Sequence, residues 1–253
     1  MGKQKLIREL TKKDLKKIKL IAFDVDGVLV PRGTKIKQTG NVTRLETKRI
    51  LPEQVEQIKN LHFLGFKITI NSGRGLYMLQ DMFREVLPFV SLTYENGSAT
   101  WYQGNIHQHV NSFKSLYRVY SDLKSVRSKY IKGFEQKEFI ITIHCTNRVK
   151  RIEEIVSKHR NLYTIWNGEA YDIGMRNIQQ KSRGLQSFMK VLKLKKKNVL
   201  AIGDNYNDRD LLSSAGIRVS ADKARLKGDF YIELNKKNLP AKQLMGQIIA
   251  VCS

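Results

Sequence analysis

Asp24 and Asp26 stand one residue apart in Asp24-Val25-Asp26-Gly27, directly after the apolar run Leu20-Ile21-Ala22-Phe23. Alternate side chains of an extended segment share a face, so both carboxylates can converge on one site at a strand end. That pairing suits phosphoryl transfer through a carboxylate nucleophile. Asp24 can attack phosphorus, and Asp26, when protonated, can donate to the leaving oxygen. The same residues also describe a plain turn after a strand, where Asp and Gly are common.

Three further groups follow in order. Ser72-Gly73-Arg74 closes the β-rich run Lys67-Ile68-Thr69-Ile70-Asn71. A hydroxyl and nearby N–H groups there can face a phosphate, or Ser72 can simply cap the helix expected from Leu76. Lys181 opens an apolar-periodic stretch through Leu185, Phe188, Met189 and Leu192. It can neutralise charge between nucleophile and phosphate, or be one more solvated lysine. Asp204 and Asp208 lie in Gly203-Asp204-Asn205-Tyr206-Asn207-Asp208, after the buried-type strand Val199 to Ile202. Oxygen ligands at a strand end suit Mg²⁺, which takes one or two carboxylates and keeps waters; an acidic cap on the following helix is the plainer alternative.

Together these four groups resemble the haloacid dehalogenase superfamily of phosphohydrolases, over roughly Lys19 to Phe230. Tyr94-Glu95-Asn96-Gly97-Ser98 is similar to members that carry a cap between the second and third motifs, among them Cof-like, trehalose- and sucrose-phosphatases and phosphomannomutases. The resemblance implies that Asp24 forms an aspartyl-phosphate and that Asp26 is first the acid and then the base. It implies that Ser72 and Lys181 serve the transferring group, with Gly73, Arg74, Asn96 and Asn207 beside it. Mg²⁺ is expected on Asp24, Asp26 (through its carbonyl), Asp204 and Asp208. An acid at position 26, where P-type ATPases carry Thr, points to a hydrolase or mutase. Two departures concern the substrate rather than the chemistry. Ser182 and Arg183 separate Lys181 from Gly184, and a long basic loop runs from Pro31 to Ile50.

Stepwise alternation of strand and helix patterns predicts an α/β fold: a Rossmann-like doubly wound parallel sheet core with a smaller α+β cap. The expected divisions are residues 1–108 (core, with a basic amphipathic helix at 3–19), 109–179 (cap) and 180–253 (core). Motifs at the carboxyl ends of strands are where such sheets bind ligands. Helices are expected at about Pro52–Leu64, Leu76–Val86, Phe113–Tyr130 and Val149–Lys158. The cap hairpin Thr164 to Asp172 offers a sugar the aromatic faces of Trp166 and Tyr171 and hydrogen-bonding groups such as Glu169, and Arg176 could meet a second anion; Trp166 and Tyr171 can equally pack the cap sheet.

The chain has 253 residues, 41% hydrophobic and 9% aromatic, enough for a core and a second small unit. Cys145 and Cys252 show no paired or metal-ligand spacing. Cys145 reads as strand packing and neighbouring His144 as a satisfied histidine. No apolar run reaches membrane-spanning length, the N-terminus lacks a signal-peptide core, and Leu6 breaks the myristoylation pattern, so a cytoplasmic location is expected. The formal charge of +23 attracts anions. Because no aromatic stripe interleaves the cations, weak non-specific nucleic-acid binding is expected and no specific one. The resulting expectation is a Mg²⁺-dependent phosphatase for a small phosphorylated metabolite, a sugar phosphate first among them. The alternatives are a phosphosugar mutase, a nucleic-acid end phosphatase, or a non-catalytic anion-binding protein.

Overall fold

Leu20–Phe23 is buried at every residue, which a strand tolerates only between neighbours with helices covering the sheet. In the computed structural model, which describes residues 4–33, 35–40, 42–233 and 238–253, this strand lies in the middle of a nine-stranded sheet. Val199–Gly203 pairs with it in parallel on one side and Lys67–Asn71 on the other. Beyond Val199–Gly203 come Ile217–Ser220, Phe230–Tyr231 and Lys5–Leu6, all parallel. Beyond Lys67–Asn71 come parallel Val90–Tyr94 and then antiparallel Ala99–Tyr102 and Asn105–Gln108. Helices Pro52–Phe63, Leu76–Met82, Lys181–Val191, Arg209–Ser213 and Pro240–Cys252 flank the sheet. The expected α/β architecture is therefore the observed one.

Contacts divide the chain into two units. The first holds Met1–Arg32, Lys48–His109 and Gln180–Ser253; the second holds Gly33–Thr47 and Val110–Gln179. In the second, antiparallel strands run in the order Leu162–Trp166, Ala170–Met175, Ile141–Cys145, Ile131–Glu135. Helices Phe113–Lys124 and Lys150–Ser157 cover one face through Leu116, Val119, Leu123 and Ile152 against Ile141, Ile143 and Cys145. The other residues of the central strand, Thr142 and His144, point the opposite way, as a two-residue period requires. There His144 Nε2 lies 2.8 Å from Glu135, Lys137 donates to Thr142 (2.7 Å), and Thr142 to Asp172 (2.6 Å). His144 is thus a partnered, buried histidine.

Two expectations are corrected. The segment 3–19 is not one helix. Lys5–Leu6 is an edge strand, Ile7–Glu9 a 3₁₀ turn, and Lys12–Leu15 a short helix. Thr11 and Asp14 cap each other at that helix start, with Thr11 N–H donating to Asp14 (2.9 Å), and so begin a new element where the apolar spacing suggested continuation. Its apolar residues still pack inward: Ile7, Leu10, Leu15 and Ile18 are buried. The stretch 31–50, read as loop and as core, contains a hairpin of Lys35–Thr39 with Val42–Glu46 that belongs to the second unit. Gln38 accepts a bond from the Phe134 N–H (3.2 Å), and Gly133 makes room: a Cβ there would sit 2.9 Å from Gln38 Oε1.

Candidate active site

Each acidic or basic group of the site in the first unit is delivered by the end of a strand or the start of a helix. Asp24 follows Phe23 and remains in register, its N–H donating to Ile202 O (3.1 Å). Lys181 is the first residue of its helix, Lys181–Val191. Two residues outside the expected set fix that helix start. Ser182 N–H donates to Asp210 Oδ2 (2.9 Å), and Asn71 Nδ2 donates to Lys181 O (3.3 Å). A carboxylate on the first-turn N–H groups is a favoured arrangement. Lys181 Nζ then donates to Asp24 Oδ1 and Asp208 Oδ1, each at 2.6 Å.

Asp208 is fully buried and organises its own loop. Its Oδ2 accepts from the N–H groups of Asp204 (3.1 Å) and Asn205 (3.2 Å). Asn205 supplies the side-chain cap of that turn, bonding the Tyr206 N–H (2.9 Å), whereas Asn207 is exposed. Asn205 and Asp208, rather than Asn207, tie this loop together. Arg32, expected only as one cation of the basic loop, places Nε (2.8 Å) and Nη2 (2.5 Å) on Asp204 Oδ2.

Asp26 lies in a tight turn in which Gly27 has φ +84° and its N–H donates to Val30 O (2.8 Å). A side chain at Gly27 would run into Asp204, so this position needs glycine twice over. Arg74, expected beside the phosphate, instead forks onto Asp26, Nε at 2.9 Å and Nη2 at 2.7 Å. Ser72 is buried, with its Oγ accepting from the Arg74 N–H (3.2 Å). Asn96 acts here through its backbone: its N–H donates to Ser72 O and that of Glu95 to Arg74 O, both at 3.1 Å. Glu95, Asn96 and Gly97 all have positive φ, and a Cβ on Gly97 would strike Gln180 and Gly184. The Asn-Gly turn therefore holds Ser72-Gly73-Arg74 on one side and the helix of Lys181 on the other.

Glu169 and Arg176 belong to the second unit, where the Glu169 backbone N–H donates to Asn167 Oδ1 (3.0 Å) and Arg176 Nη2 donates to Leu162 O (3.0 Å). Tyr171, one of the aromatic faces considered for a sugar, is fully buried, 4.7 Å from the Trp166 ring, with its hydroxyl on Val149 N–H and Glu153.

The first-unit cluster concentrates buried negative charge. Burial, then the Asp208 charge, pushes Asp24 well above the usual carboxylate range; Lys181 opposes this and Asp204 adds to it. Burial raises Asp204 as well, against the pull of Arg32. Burial alone would lower Lys181, but Asp208 and Asp24 reverse it and hold the ammonium above its ordinary value. Three buried carboxylates thus outnumber Lys181 and Arg32. Their oxygens lie within 4.8 Å of one another, an all-oxygen set that fits a hard divalent cation. The Asp26 carboxylate is not part of that set, being engaged by Arg74.

A family model described as haloacid dehalogenase-like hydrolase matches residues 21–161 and 101–227. Phosphoglycolate phosphatase 1 of Saccharolobus solfataricus is 25% identical over 237 residues, 92% of this chain and 96% of that protein. In fold, the chain is similar to a haloalkanoate-superfamily phosphatase of Bacteroides thetaiotaomicron, with a TM-score of 0.71 at 17% identity, covering 96% of this chain and 99% of that one. A trehalose-6-phosphate phosphatase related protein gives a TM-score of 0.65 at 17% identity, over 92% and 97% of the two chains.

Proposed function

Because the chain belongs to the haloacid dehalogenase-like hydrolases, we propose that it is a Mg²⁺-dependent phosphatase acting on a small phosphorylated metabolite through an aspartyl-phosphate on Asp24. The observation that carries this reading is Lys181 bridging Asp24 and Asp208 at 2.6 Å, with Asp204 in the same oxygen cluster. Lys181 holds Asp24 Oδ1, which orients the carboxylate and leaves Oδ2 to attack phosphorus. Asp24, Asp204 and Asp208 would hold Mg²⁺, which supplies positive charge for the phosphoryl oxygens.

As the P–O bond to the leaving group breaks, Asp26 gives its proton to the departing alkoxide. For this the Arg74 fork must open, because both Asp26 oxygens accept from it here. Asp26, now a carboxylate, takes a proton from water as that water attacks the aspartyl-phosphate. Phosphate leaves, and Asp24 and the protonated Asp26 are restored. Acid–base help of this kind is worth roughly 10²–10⁴-fold.

Sugar phosphates and phosphorylated carboxylates, of which phosphoglycolate is named for the Saccharolobus relative, head the substrate list. Two free thiols, Cys145 and Cys252, suit a reducing cytoplasmic setting. Among the described residues no helix is long and apolar enough to cross a membrane. The test is phosphate release from a panel of phosphorylated metabolites with Mg²⁺, with and without chelator. Release that needs the metal and is absent in Asp24→Asn supports the reading; release by a folded Asp24→Asn protein, or in excess chelator, removes it.

A further inference from the structure

The second unit corrects the expectation that no aromatic stripe accompanies the cations: it carries one, and no step of the proposed hydrolysis uses it. On helix Phe113–Lys124, Phe113, Tyr117, Tyr120 and Lys124 recur at helical spacing and share one side. Large apolar rings are normally covered, yet Phe113 is 69% exposed, Tyr117 67% and Tyr120 42%. Phe113 and Tyr117 stack (5.8 Å, 29°), and Tyr120 meets Phe134 edge to face (6.0 Å). They line a groove of about 800 Å³.

This groove shares Gln38, Lys124 and Phe134 with a second one of about 460 Å³, whose charged lining residues are Lys124, Arg127 and Lys132, with no carboxylate among them. Lys124 stands at the junction, its ammonium 4.6 Å from the Phe134 ring. The surface therefore has a polarity: exposed rings at one end, cations at the other. At the ring end Glu135 is buried against His144 and Lys137, so Glu138 is the exposed acid of that lining.

We propose that this continuous groove binds single-stranded nucleic acid, with bases stacked on Phe113, Tyr117 and Tyr120 and backbone phosphates along Lys124, Arg127 and Lys132. Stacking on aromatic rings is sequence-tolerant because every base has a π face, and it is closed to a duplex whose bases are already stacked. The charge of +23 draws the strand in without choosing its sequence. A second copy of this chain is the poorer occupant, since it would bring like charge onto Lys124, Arg127 and Lys132.

The test is fluorescence anisotropy in chelator, using a labelled twelve-nucleotide oligo-dT, its duplex, and an abasic strand of equal length and charge. Oligo-dT is expected to bind roughly tenfold or more tighter than the abasic strand, and tighter than the duplex. The triple substitution Phe113→Ser, Tyr117→Ser, Tyr120→Ser should erase that preference while leaving abasic binding as it was. Lys124→Gln with Arg127→Gln and Lys132→Gln should weaken both strands and flatten the salt dependence. Should the triple ring variant fail to fold by circular dichroism, Tyr117→Ala alone must still reduce the preference. Equal affinity for the abasic strand, a duplex bound as tightly, or an unchanged preference in the ring variants would overturn the proposal. So would sedimentation showing a dimer that those variants dissolve while oligo-dT affinity stays the same.

Discussion

Arg32 places two guanidinium N–H groups, at 2.8 and 2.5 Å, on one oxygen of Asp204, the same carboxylate that joins Asp24 and Asp208 in the oxygen cluster. A cation reaching that oxygen competes with Arg32. Arg32→Ala is therefore expected to tighten Mg²⁺ binding, by up to about fivefold for a pair whose arginine is 40% exposed. Calorimetric titration of metal-free protein measures this directly. Weaker binding in the variant would mean that Arg32 helps the cation.

The carboxylates also set a pH dependence. Asp24 and Asp204 are both raised above the ordinary 3.8. A carboxyl raised in the folded state stabilises it fully below that ordinary value and loses the contribution as pH rises through the raised one. In chelator, Asp24→Asn should therefore melt increasingly above wild type as pH climbs from about 4 towards neutrality. Added Mg²⁺ should shrink that margin by stabilising wild type. A margin that is flat with pH would show that Asp24 does not bear the strain assigned to it.

Asp26 tests the proton relay apart from the nucleophile. Asp26→Asn should cost roughly 10²–10⁴ in kcat on an alkyl phosphate. In kcat/KM, which reads the phosphorylation step alone, the loss should be much smaller on an aryl phosphate, whose leaving oxygen needs no proton, while kcat falls on both because Asp26 is also the base for the hydrolysis. Equal losses in kcat/KM on both would assign Asp26 to structure, through its fork with Arg74.

Gly97 predicts a packing effect remote from charge. Its φ of +80° and the Gln180 and Gly184 backbone in its path leave no room for a methyl group. Gly97→Ala should lose about 1–3 kcal/mol, read from the urea midpoint. It should also lower activity, because the helix that carries Lys181 must shift. An unchanged midpoint would show that this approach is not as tight as it looks.

The thiols differ as well. Burial pushes Cys145 up to about 11, while Cys252 is half-buried near the C-terminus. At pH 8 an alkylating reagent should label Cys252 and leave Cys145 unmodified until the protein unfolds, which mass spectrometry of the labelled peptides resolves.

Asp24, Asp204 and Lys181 were legible because each directly follows an apolar run or opens a periodic one, so their neighbours announce where the strand or helix delivers them. Arg32 was not, since it sits among basic residues with no pattern of its own and finds Asp204 only through the fold. Asn207 stands in the motif, yet the turn is tied by Asn205, two residues past the strand end. The hairpin at 35–46 is hard to read because its apolar residues are few: Ile36 and Leu45, paired across it, and Val42, which is exposed at its turn end. The sequence of helix Phe113–Lys124 does not say which of its faces is covered. Only the position of Leu116, Val119 and Leu123 shows which side of the helix is covered.

That hairpin has a consequence for how the chain is made. Gly33–Thr47 completes a unit whose remainder, Val110–Gln179, is translated only after Lys48–His109 of the other unit. On the ribosome the hairpin emerges with neither Gly133 nor Phe134 yet in existence, and Gln38 waits for the Phe134 N–H while the intervening stretch is added. The second unit thus cannot finish folding in the order of synthesis. Its closure is a long-range event, of the kind that slows folding and leaves a nascent strand open to chaperones and to neighbouring chains.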